Sequence, residues 1–356
     1  MWPRSDLLDL LGIEHPIIQA PMAGSTTPAL AAAVANAGGL GSLGCATMAA
    51  DAIASSAGAL RAATNRPFNL NFFAHGEPAQ DPAVDRRTRQ RVAPFYAELG
   101  LGEPPASVAA PFASFDEAQL QAVLEIEPAV VSFLFGLPEP DLVAPLRDAG
   151  CRILCSATTV AEARALEDAG VDAVIAQGFE AGGHRGAFDV TFEDVGVGAM
   201  ALVPQIVDAV DLPVIAAGGI ADGRGIAAAF ALGASGVQMG TAFLSCPEAE
   251  VSPAHREALA GASDQDTRLS RAISGRPARG RNTRFMAAMA ESREPLPAFP
   301  LMYGYSAPLT QAGADQGTAD FEALFYGQAA ALNRALPAAE LVALLVEEAR
   351  AVFSAR

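Results

Sequence analysis

Short apolar segments alternate with Ala-rich helical segments along most of the 356-residue chain. The predicted strands occupy residues 17–22, 39–44, 68–73, 130–135, 152–157, 173–178, 213–219 and 236–240. The predicted helices occupy residues 28–37, 49–62, 116–125, 139–149, 159–169, 199–209, 222–232, 320–335 and 338–353. Eight strand–helix units predict an α/β fold, a closed (β/α)8 TIM barrel. A doubly wound open sheet uses the same alternation and is the alternative.

Two insertions interrupt the alternation. Residues 75–115 follow the third predicted strand and contain an Arg-rich run at 85–91, interpreted as a solvated helix face. Residues 245–318 follow the eighth strand. Loops after barrel strands gather at one mouth of the barrel, so the insertions predict a smaller α-helical cap or lid there. The expected domains are a barrel of residues 1–244 and 319–356, which carries the insertion 75–115, and a substrate-side lid of residues 245–318.

Charge and hydropathy restrict the partners. The formal net charge is −17, and such a surface repels phosphate backbones, so no nucleic-acid partner is expected. Mean hydropathy is +0.26, yet no run of about 18 apolar residues lacks turn formers, which argues against a membrane span. The first residues lack the charged-then-apolar order of a signal peptide, which predicts a cytoplasmic protein. Both a monomer and a homodimer are compatible with the sequence.

The cysteines and most histidines are interpreted as structural. Their spacings match no metal-ligand pattern, so the sequence predicts buried reduced thiols and no catalytic metal. A peripheral role at the site remains open for one of them, His75, which lies just past the third strand. The residues concerned are Cys45, Cys151, Cys155, Cys246, His15, His75 and His255.

The segment 177–186, Gln-Gly-Phe-Glu-Ala-Gly-Gly-His-Arg-Gly, directly follows the sixth predicted strand. Gly182 and Gly183 allow the backbone to approach a flat or anionic ligand closely. His184 stands beside them, and histidine is the side chain most easily tuned to exchange a proton near neutral pH. The segment therefore predicts a cofactor cradle that contains a proton-transfer group. A glycine-rich connector with a solvated histidine is the alternative.

Two further glycine loops predict a phosphate site. In such barrels the loops after strands seven and eight bind phosphate through backbone N–H groups, helped by a helix N-terminus, which here would begin at Asp222 or Gly223. The loop residues are Gly218, Gly219, Gly240 and Thr241. A ring would lie against the stiff turn Pro21-Met22-Ala23, beside Asn71. This elongated outline fits FMN better than NAD, because the first strand–helix turn has no G-x-G-x-x-G.

Several segments resemble the nitronate monooxygenases, formerly called 2-nitropropane dioxygenases, in their bacterial class I branch. The resemblance covers nearly the whole chain, and its clearest segments are 16–22, 177–186, 216–220, 238–243, 274–280 and the tyrosine-bearing stretch near 303. It implies FMN in a capped barrel, with O2 oxidising alkyl nitronates, propionate 3-nitronate in particular, through a flavin semiquinone and without NAD(P)H.

The resemblance also implies roles for individual residues. His184 would be catalytic, as a base toward neutral nitroalkanes or as a partner of the nitronate anion, and Tyr303 would face the substrate. A tyrosine packed under the lid is the alternative for Tyr303. The expected cofactor contacts are Pro21, Met22, Ala23, Asn71, Gln177, Gly182, Gly183, Gly218, Gly219, Gln238, Met239, Gly240 and Thr241. This chain departs from the family at 306–309, Ser-Ala-Pro-Leu, where relatives carry a lysine, which affects the expected selectivity.

Three other functions compete with this one. An NAD(P)H-dependent FMN enoyl-thioester or quinone reductase would use the same fold and flavin. A flavin-free barrel isomerase or aldolase would use the same phosphate loops, but it needs a lysine or paired carboxylates that the predicted strand ends do not offer. A non-catalytic flavin-binding module would leave His184 unexplained.

Overall fold

The structure, a computed structural model, describes residues 2–189 and 196–355. Strands and helices are numbered in chain order. Eight parallel strands form the main sheet: β1 Ile17–Gln19, β2 Gly41–Gly44, β3 Phe68–Phe73, β4 Val130–Leu134, β5 Arg152–Ala157, β6 Ala173–Gln177, β8 Val214–Ala217 and β9 Gly236–Met239. A second, antiparallel sheet has three strands: β7 Gly183–His184, β10 Thr267–Ser270 and β11 Ala278–Arg281.

The main sheet closes into a barrel. Each strand pairs in parallel with its neighbours around the ring, and β1 pairs with β9, where Ile17 lies opposite Val237. The last gap is bridged between Ile18 and Leu40, and the Gln19 N–H donates to the Leu40 carbonyl at 3.0 Å. The predicted (β/α)8 barrel is thereby confirmed, and the doubly wound alternative is wrong.

Fourteen α-helices and one 3₁₀ helix lie within the described residues, and none is long and apolar enough to cross a membrane. Those of the barrel follow the strands closely, and N-cap residues such as Thr27 and Asp116 begin them by accepting backbone N–H groups. The helices are α1 Asp6–Leu11, α2 Pro28–Asn36, α3 Ala50–Ala63, α4 Pro82–Glu98, α5 Glu117–Ile126, α6 Pro140–Asp148, α7 Val160–Asp168, α8 Ala199–Val207, α9 Gly223–Ala231, α10 Thr241–Leu244, α11 Pro253–Ala260, α12 Arg284–Met289, α13 Tyr303–Asp315, the 3₁₀ helix Ala330–Leu332 and α14 Ala338–Ser354.

The interior of the barrel determines which mouth can hold a site. Alternate strand residues such as Leu154 and Ile215 point inward and form one buried apolar cluster. Helix α1 adds Leu7 and Leu11 to this cluster, which closes the end where the strands begin. Any ligand cavity must therefore lie at the other end, where the strands finish.

The two insertions pack together over that open end. A second apolar cluster joins Val92 and Tyr96 of α4 to Phe285 of α12 and to Tyr305 of α13. The Tyr96 hydroxyl donates to the Tyr305 carbonyl at 2.9 Å. The cap therefore takes its core from segments far apart in the chain. It also contains β10 and β11, which the sequence did not predict.

The Arg-rich run at 85–91 lies on α4, and its arginines are exposed or half-buried, whereas two of its other residues are buried. Asp85 and Thr88 are buried, and the Tyr305 hydroxyl donates to Asp85 at 3.2 Å. Arg91 donates to the Met289 carbonyl. These side chains face the second insertion, and the helix has a solvated side and a packed side.

The predicted helix at 320–335 was also wrong. These residues form irregular chain with the single 3₁₀ turn. Gly327 passes so close to the loop after β6 that a Cβ there would lie 2.7 Å from the Glu180 carbonyl oxygen, and the Gln328 N–H donates to that oxygen at 3.0 Å. Chain without helical structure can bring its backbone this close to the Glu180 carbonyl. A helix would hold its backbone further away, because its side chains surround it.

Candidate active site

One cavity of about 400 Å³ lies at the carboxyl ends of the barrel strands, beneath the cap. Every residue proposed from the sequence for catalysis, cofactor binding or substrate contact lines this cavity. These residues are Pro21, Met22, Ala23, Asn71, Gln177, Gly182, Gly183, His184, Gly218, Gly219, Gln238, Met239, Gly240, Thr241 and Tyr303. The structure brings them together, and their individual roles remain proposals.

The glycine loops after β8 and β9 present unpaired donors to the cavity. Gly218 and Gly219 both have positive φ, +99° and +73°, which glycine adopts without strain. Their N–H groups and that of Gly240 donate to no acceptor within the described residues. Thr241 Oγ1 accepts the Gly327 N–H at 2.9 Å and keeps its own proton for a ligand. These donors suit an anion.

The helix after β8 begins at Gly223, as predicted, but its N-terminus is not free for a phosphate. Asp222 accepts the N–H groups of Arg224 and Gly225 at 2.9 and 3.2 Å, and Glu348 accepts the Gly223 N–H at 3.0 Å. Two carboxylates therefore satisfy the first amides of α9. The expected contribution of this helix end to phosphate binding is wrong, and the loop amides remain.

The floor of the cavity carries polar atoms without partners. Asn71 donates through Nδ2 to the carbonyl and the hydroxyl of Ser132, at 3.1 and 2.9 Å. No hydrogen bond to its Oδ1 comes from the described part of the chain. Gln238 Oε1 is buried without a partner among the described residues. A buried acceptor without a donor is costly, so Gln238 Oε1 fits a ligand that offers an N–H group, and Asn71 Oδ1 can accept from the same ligand.

Gln177 contacts its own loop. Its Nε2 donates to the His184 carbonyl at 2.9 Å, and its Oε1 accepts the Gly186 N–H at 2.8 Å. Both ends of the amide thus hold the segment that carries the histidine. The side chain lines the cavity, but both of its hydrogen bonds are made to the loop that carries His184.

His184 lies among aromatic rings above the cavity. Strand β7 pairs with β11, where His184 faces Ala278, and this pairing fixes the backbone. The rings of Phe73, Phe135, Phe299 and Phe325 lie with centroids 5.5–6.2 Å from the imidazole. Burial, and secondarily the charge of Arg276, lowers the pKa of His184 to about 3. The imidazole is therefore uncharged at neutral pH.

One nitrogen of that imidazole is bound and the other is open. Nε2 lies 2.9 Å from the Ser274 hydroxyl. Nδ1 makes no hydrogen bond within residues 2–189 and 196–355, and it is not fully buried. The neighbouring Arg276 guanidinium stacks on the Phe135 ring at 3.8 Å, which keeps a positive charge close to the histidine.

Sequence reasoning missed the carboxylate that holds the loop after the histidine. Glu162 of α7 is fully buried and accepts four donors: the Thr158 N–H and hydroxyl at 2.6 and 2.8 Å, and the N–H groups of Phe188 and Asp189 at 2.7 and 3.1 Å. Thr159 and Glu162 match the T-x-x-E pattern of a capping box, which is the signal that marks this position. The carboxylate connects α7 to the loop that follows His184.

Two arginines hold the first part of the same loop. Arg185 Nη1 donates to the Gly178 carbonyl at 2.6 Å, and Arg279 Nη2 donates to the Phe179 carbonyl at 2.9 Å. Glu180 accepts the N–H of Ala199 at 2.9 Å, at the start of α8. The loop is therefore attached to the barrel, to α8 and to the cap sheet.

Some of the other titratable residues line the cavity, and the rest lie elsewhere in the protein. Tyr303 lines the cavity next to Phe299, with ring centroids 6.3 Å apart, and burial raises its pKa to about 12. His255, interpreted from the sequence as structural, also lines the cavity, and its buried Nε2 has no partner among the described residues. His75 lies outside, on a second cavity of about 420 Å³. The four cysteines are buried and unpaired.

The fold and the site define a (β/α)8-barrel protein with a capped, glycine-lined cavity beside a neutral histidine. A family model described as nitronate monooxygenase matches residues 4–348. The chain therefore belongs to the nitronate monooxygenase family.

Individual relatives agree with this assignment. A nitronate monooxygenase of Paraburkholderia phytofirmans is 50% identical over 345 residues, which cover 96% of this chain and 94% of the relative. The solved structure of a nitroalkane oxidase from Streptomyces ansochromogenes matches with a TM-score of 0.89, 41% identity and 99% coverage of both chains. FabK from Thermotoga maritima matches with a TM-score of 0.76, 32% identity and coverage of 99% of this chain and 98% of that one.

Proposed function

We propose that this protein binds FMN and oxidises alkyl nitronates with O2, without NAD(P)H. Propionate 3-nitronate is the proposed substrate. The observation that carries the proposal is the uncharged His184, whose open Nδ1 stands in a cavity that presents unpaired amide donors at one end and unpaired oxygens on its floor.

The residues present fit FMN. The N–H groups of Gly218, Gly219 and Gly240, which have no acceptor among the described residues, would hold the phosphate together with the Thr241 hydroxyl. Asn71 Oδ1 and Gln238 Oε1 would accept from the N–H edge of the ring. When bound, FMN supplies the redox chemistry that connects the nitronate to O2.

The chain's own contribution is to orient the substrate and to handle its proton. The aromatic rings around His184 exclude water and accept a small apolar alkyl group. An uncharged imidazole can take the α-proton of a neutral nitroalkane at Nδ1, whereas a nitronate already lacks that proton. Tyr303, whose high pKa keeps its hydroxyl protonated, can donate a hydrogen bond to a nitronate oxygen.

The two proposed domains would have different roles. The barrel, residues 1–244 and 319–356, would bind the cofactor. The lid, residues 245–318, would cover the substrate together with the insertion 75–115, because both insertions share one apolar core.

The test is oxygen consumption by purified, FMN-loaded protein with propionate 3-nitronate and no NAD(P)H. We expect rapid uptake of O2 and no rapid bleaching of the flavin by NADH under anaerobic conditions. No uptake, together with rapid reduction by NADH, would refute the proposal and favour the enoyl-thioester or quinone reductase.

A matched pair of variants locates the chemistry. His184→Asn should retain FMN, because backbone amides hold the phosphate, and should lose most turnover of neutral nitroethane. His15→Asn makes the same chemical change just before β1, at the end of the barrel opposite the cavity, and should match the wild type. Full activity of His184→Asn on nitroethane would contradict the assignment of His184 as the base.

A further inference from the structure

We propose that Ser274 is a positioning residue that fixes the tautomer of His184, with the proton on Nε2 and the lone pair of Nδ1 directed at the substrate. The inference rests on the proposed function, since it states which nitrogen of the histidine acts. It is carried by the hydrogen bonds around the Ser274 hydroxyl.

That hydroxyl has three neighbours and a single proton. It lies 2.9 Å from His184 Nε2, 3.2 Å from the Arg276 N–H and 3.2 Å from the Arg276 carbonyl oxygen. The N–H can only donate, so it takes one oxygen lone pair. The serine proton must go either to the carbonyl or to the imidazole.

The carbonyl decides between these two arrangements. Among the described residues, the Ser274 hydroxyl is the one donor to the Arg276 carbonyl. Turning the proton toward the imidazole would leave this carbonyl without a donor from the described residues, which is unfavourable for a backbone oxygen. With the proton on the carbonyl, the second lone pair of the hydroxyl accepts from Nε2–H. Every group in the cluster is then satisfied.

The surroundings of the ring favour the same arrangement. Ser274 has no exposed surface, and water does not compete for its hydroxyl. The four phenylalanine rings around His184 offer no acceptor for a proton on Nδ1. The charge of Arg276 opposes the doubly protonated form, in which both nitrogens would carry protons.

The tautomer has opposite consequences for the two substrate forms. A lone pair on Nδ1 accepts the α-proton of a neutral nitroalkane. A proton on Nδ1 would instead donate a hydrogen bond to the anionic nitronate. Losing Ser274 should therefore impair the neutral substrate and leave the anion unaffected or improved, which general damage to the site would not do.

The experiment compares Ser274→Ala with Ser235→Ala. Ser235 is a buried serine that donates to Asp6 at 2.6 Å, just before β9, at the end of the barrel opposite the cavity. We expect Ser274→Ala to lower kcat/KM for nitroethane roughly tenfold, the factor that one hydrogen bond of about 1.4 kcal/mol represents, and to change kcat/KM for ethylnitronate less than about twofold. Ser235→Ala should change the ratio of the two values little.

Equal losses on both substrates, or no loss on nitroethane, would overturn the assignment. A second readout needs no turnover: nitrogen NMR of protein labelled at its four histidines, with the His184 signals assigned from His184→Asn. We expect an unprotonated Nδ1 in the wild type and a mixture of tautomers in Ser274→Ala. A protonated Nδ1 in the wild type would refute the inference even if the protein oxidised nitronates. The expected tautomer without oxidation would refute only the proposed function.

Discussion

Replacing Glu162 by glutamine removes the negative charge of the carboxylate that holds the loop after His184. In the native protein one carboxylate oxygen accepts two donors from Thr158, and the other accepts the N–H groups of Phe188 and Asp189. Glutamine has a single acceptor oxygen. Its NH2 group must therefore face either the donors of Thr158 or the N–H groups of Phe188 and Asp189, and it cannot accept from them.

The cheaper orientation places the NH2 group beside Thr158, whose hydroxyl can rotate to accept while its N–H is left unpaired. An unpaired buried N–H costs about 1–3 kcal/mol, and each of the two remaining bonds weakens by about 1 kcal/mol when the acceptor loses its charge. The expected destabilisation is therefore at least about 3 kcal/mol, a large share of the stability of an ordinary domain.

Thermal unfolding followed by circular dichroism at a fixed FMN concentration measures the effect. We expect the midpoint to fall by about 5 °C or more. Glu167→Gln is the matched control, because Glu167 lies on the same helix and accepts a single N–H, that of Asp211, at 2.6 Å. Its midpoint should move by less than about 2 °C. Equal small shifts in both variants would refute the account of Glu162.

Three further predictions concern the site and the thiols. Because the pKa of His184 is lowered to about 3, its imidazole stays uncharged above about pH 4. The value of kcat/KM for nitroethane should therefore be constant between about pH 5 and 7. A fall in kcat/KM toward low pH, centred near pH 6.5, would contradict this. Gly182→Ala places a Cβ 2.5 Å from the Gly327 nitrogen and should raise the Kd for FMN at least about tenfold in a fluorescence titration, whereas Gly58→Ala, with open space around it, should not. The four buried cysteines should not react with a thiol reagent in the native protein and should all react after unfolding in guanidinium, because burial raises thiol pKa values; a rapidly reacting native thiol would contradict this.

The barrel was predictable from sequence because its signals are local. The strand predictions for 68–73 and 152–157 match β3 and β5 to the residue, since a buried parallel strand is a short apolar run between turn formers. The helix predicted at 320–335 failed because its apolar residues are buried against helices that are distant in the sequence, such as α4, α11 and α12. Strand β7 has only two residues and exists through its pairing with β11, so no local pattern reveals it.

The site also contains residues that local sequence patterns predicted and residues that only distant contacts reveal. Glycines and the histidine at strand ends were found because a barrel places its site there. The partners of those residues were not found: Ser274 is 90 residues from His184 along the chain, and Glu162 contacts the loop from another helix. At Asp222 the sequence correctly predicted the start of a helix. It did not predict that the Asp222 side chain would itself accept hydrogen bonds from the backbone amides expected to bind phosphate.

The shared core of the two insertions also bears on how the chain is synthesised. Val92 and Tyr96 leave the ribosome roughly 190 residues before Phe285, their partner in the cap core, and at about 5–20 residues per second this is a delay of about 10–40 s. During that interval the apolar face of α4 has no native partner. Translation speed and chaperone supply should therefore affect the yield of folded protein mainly through the cap, even though the barrel contains most of the chain.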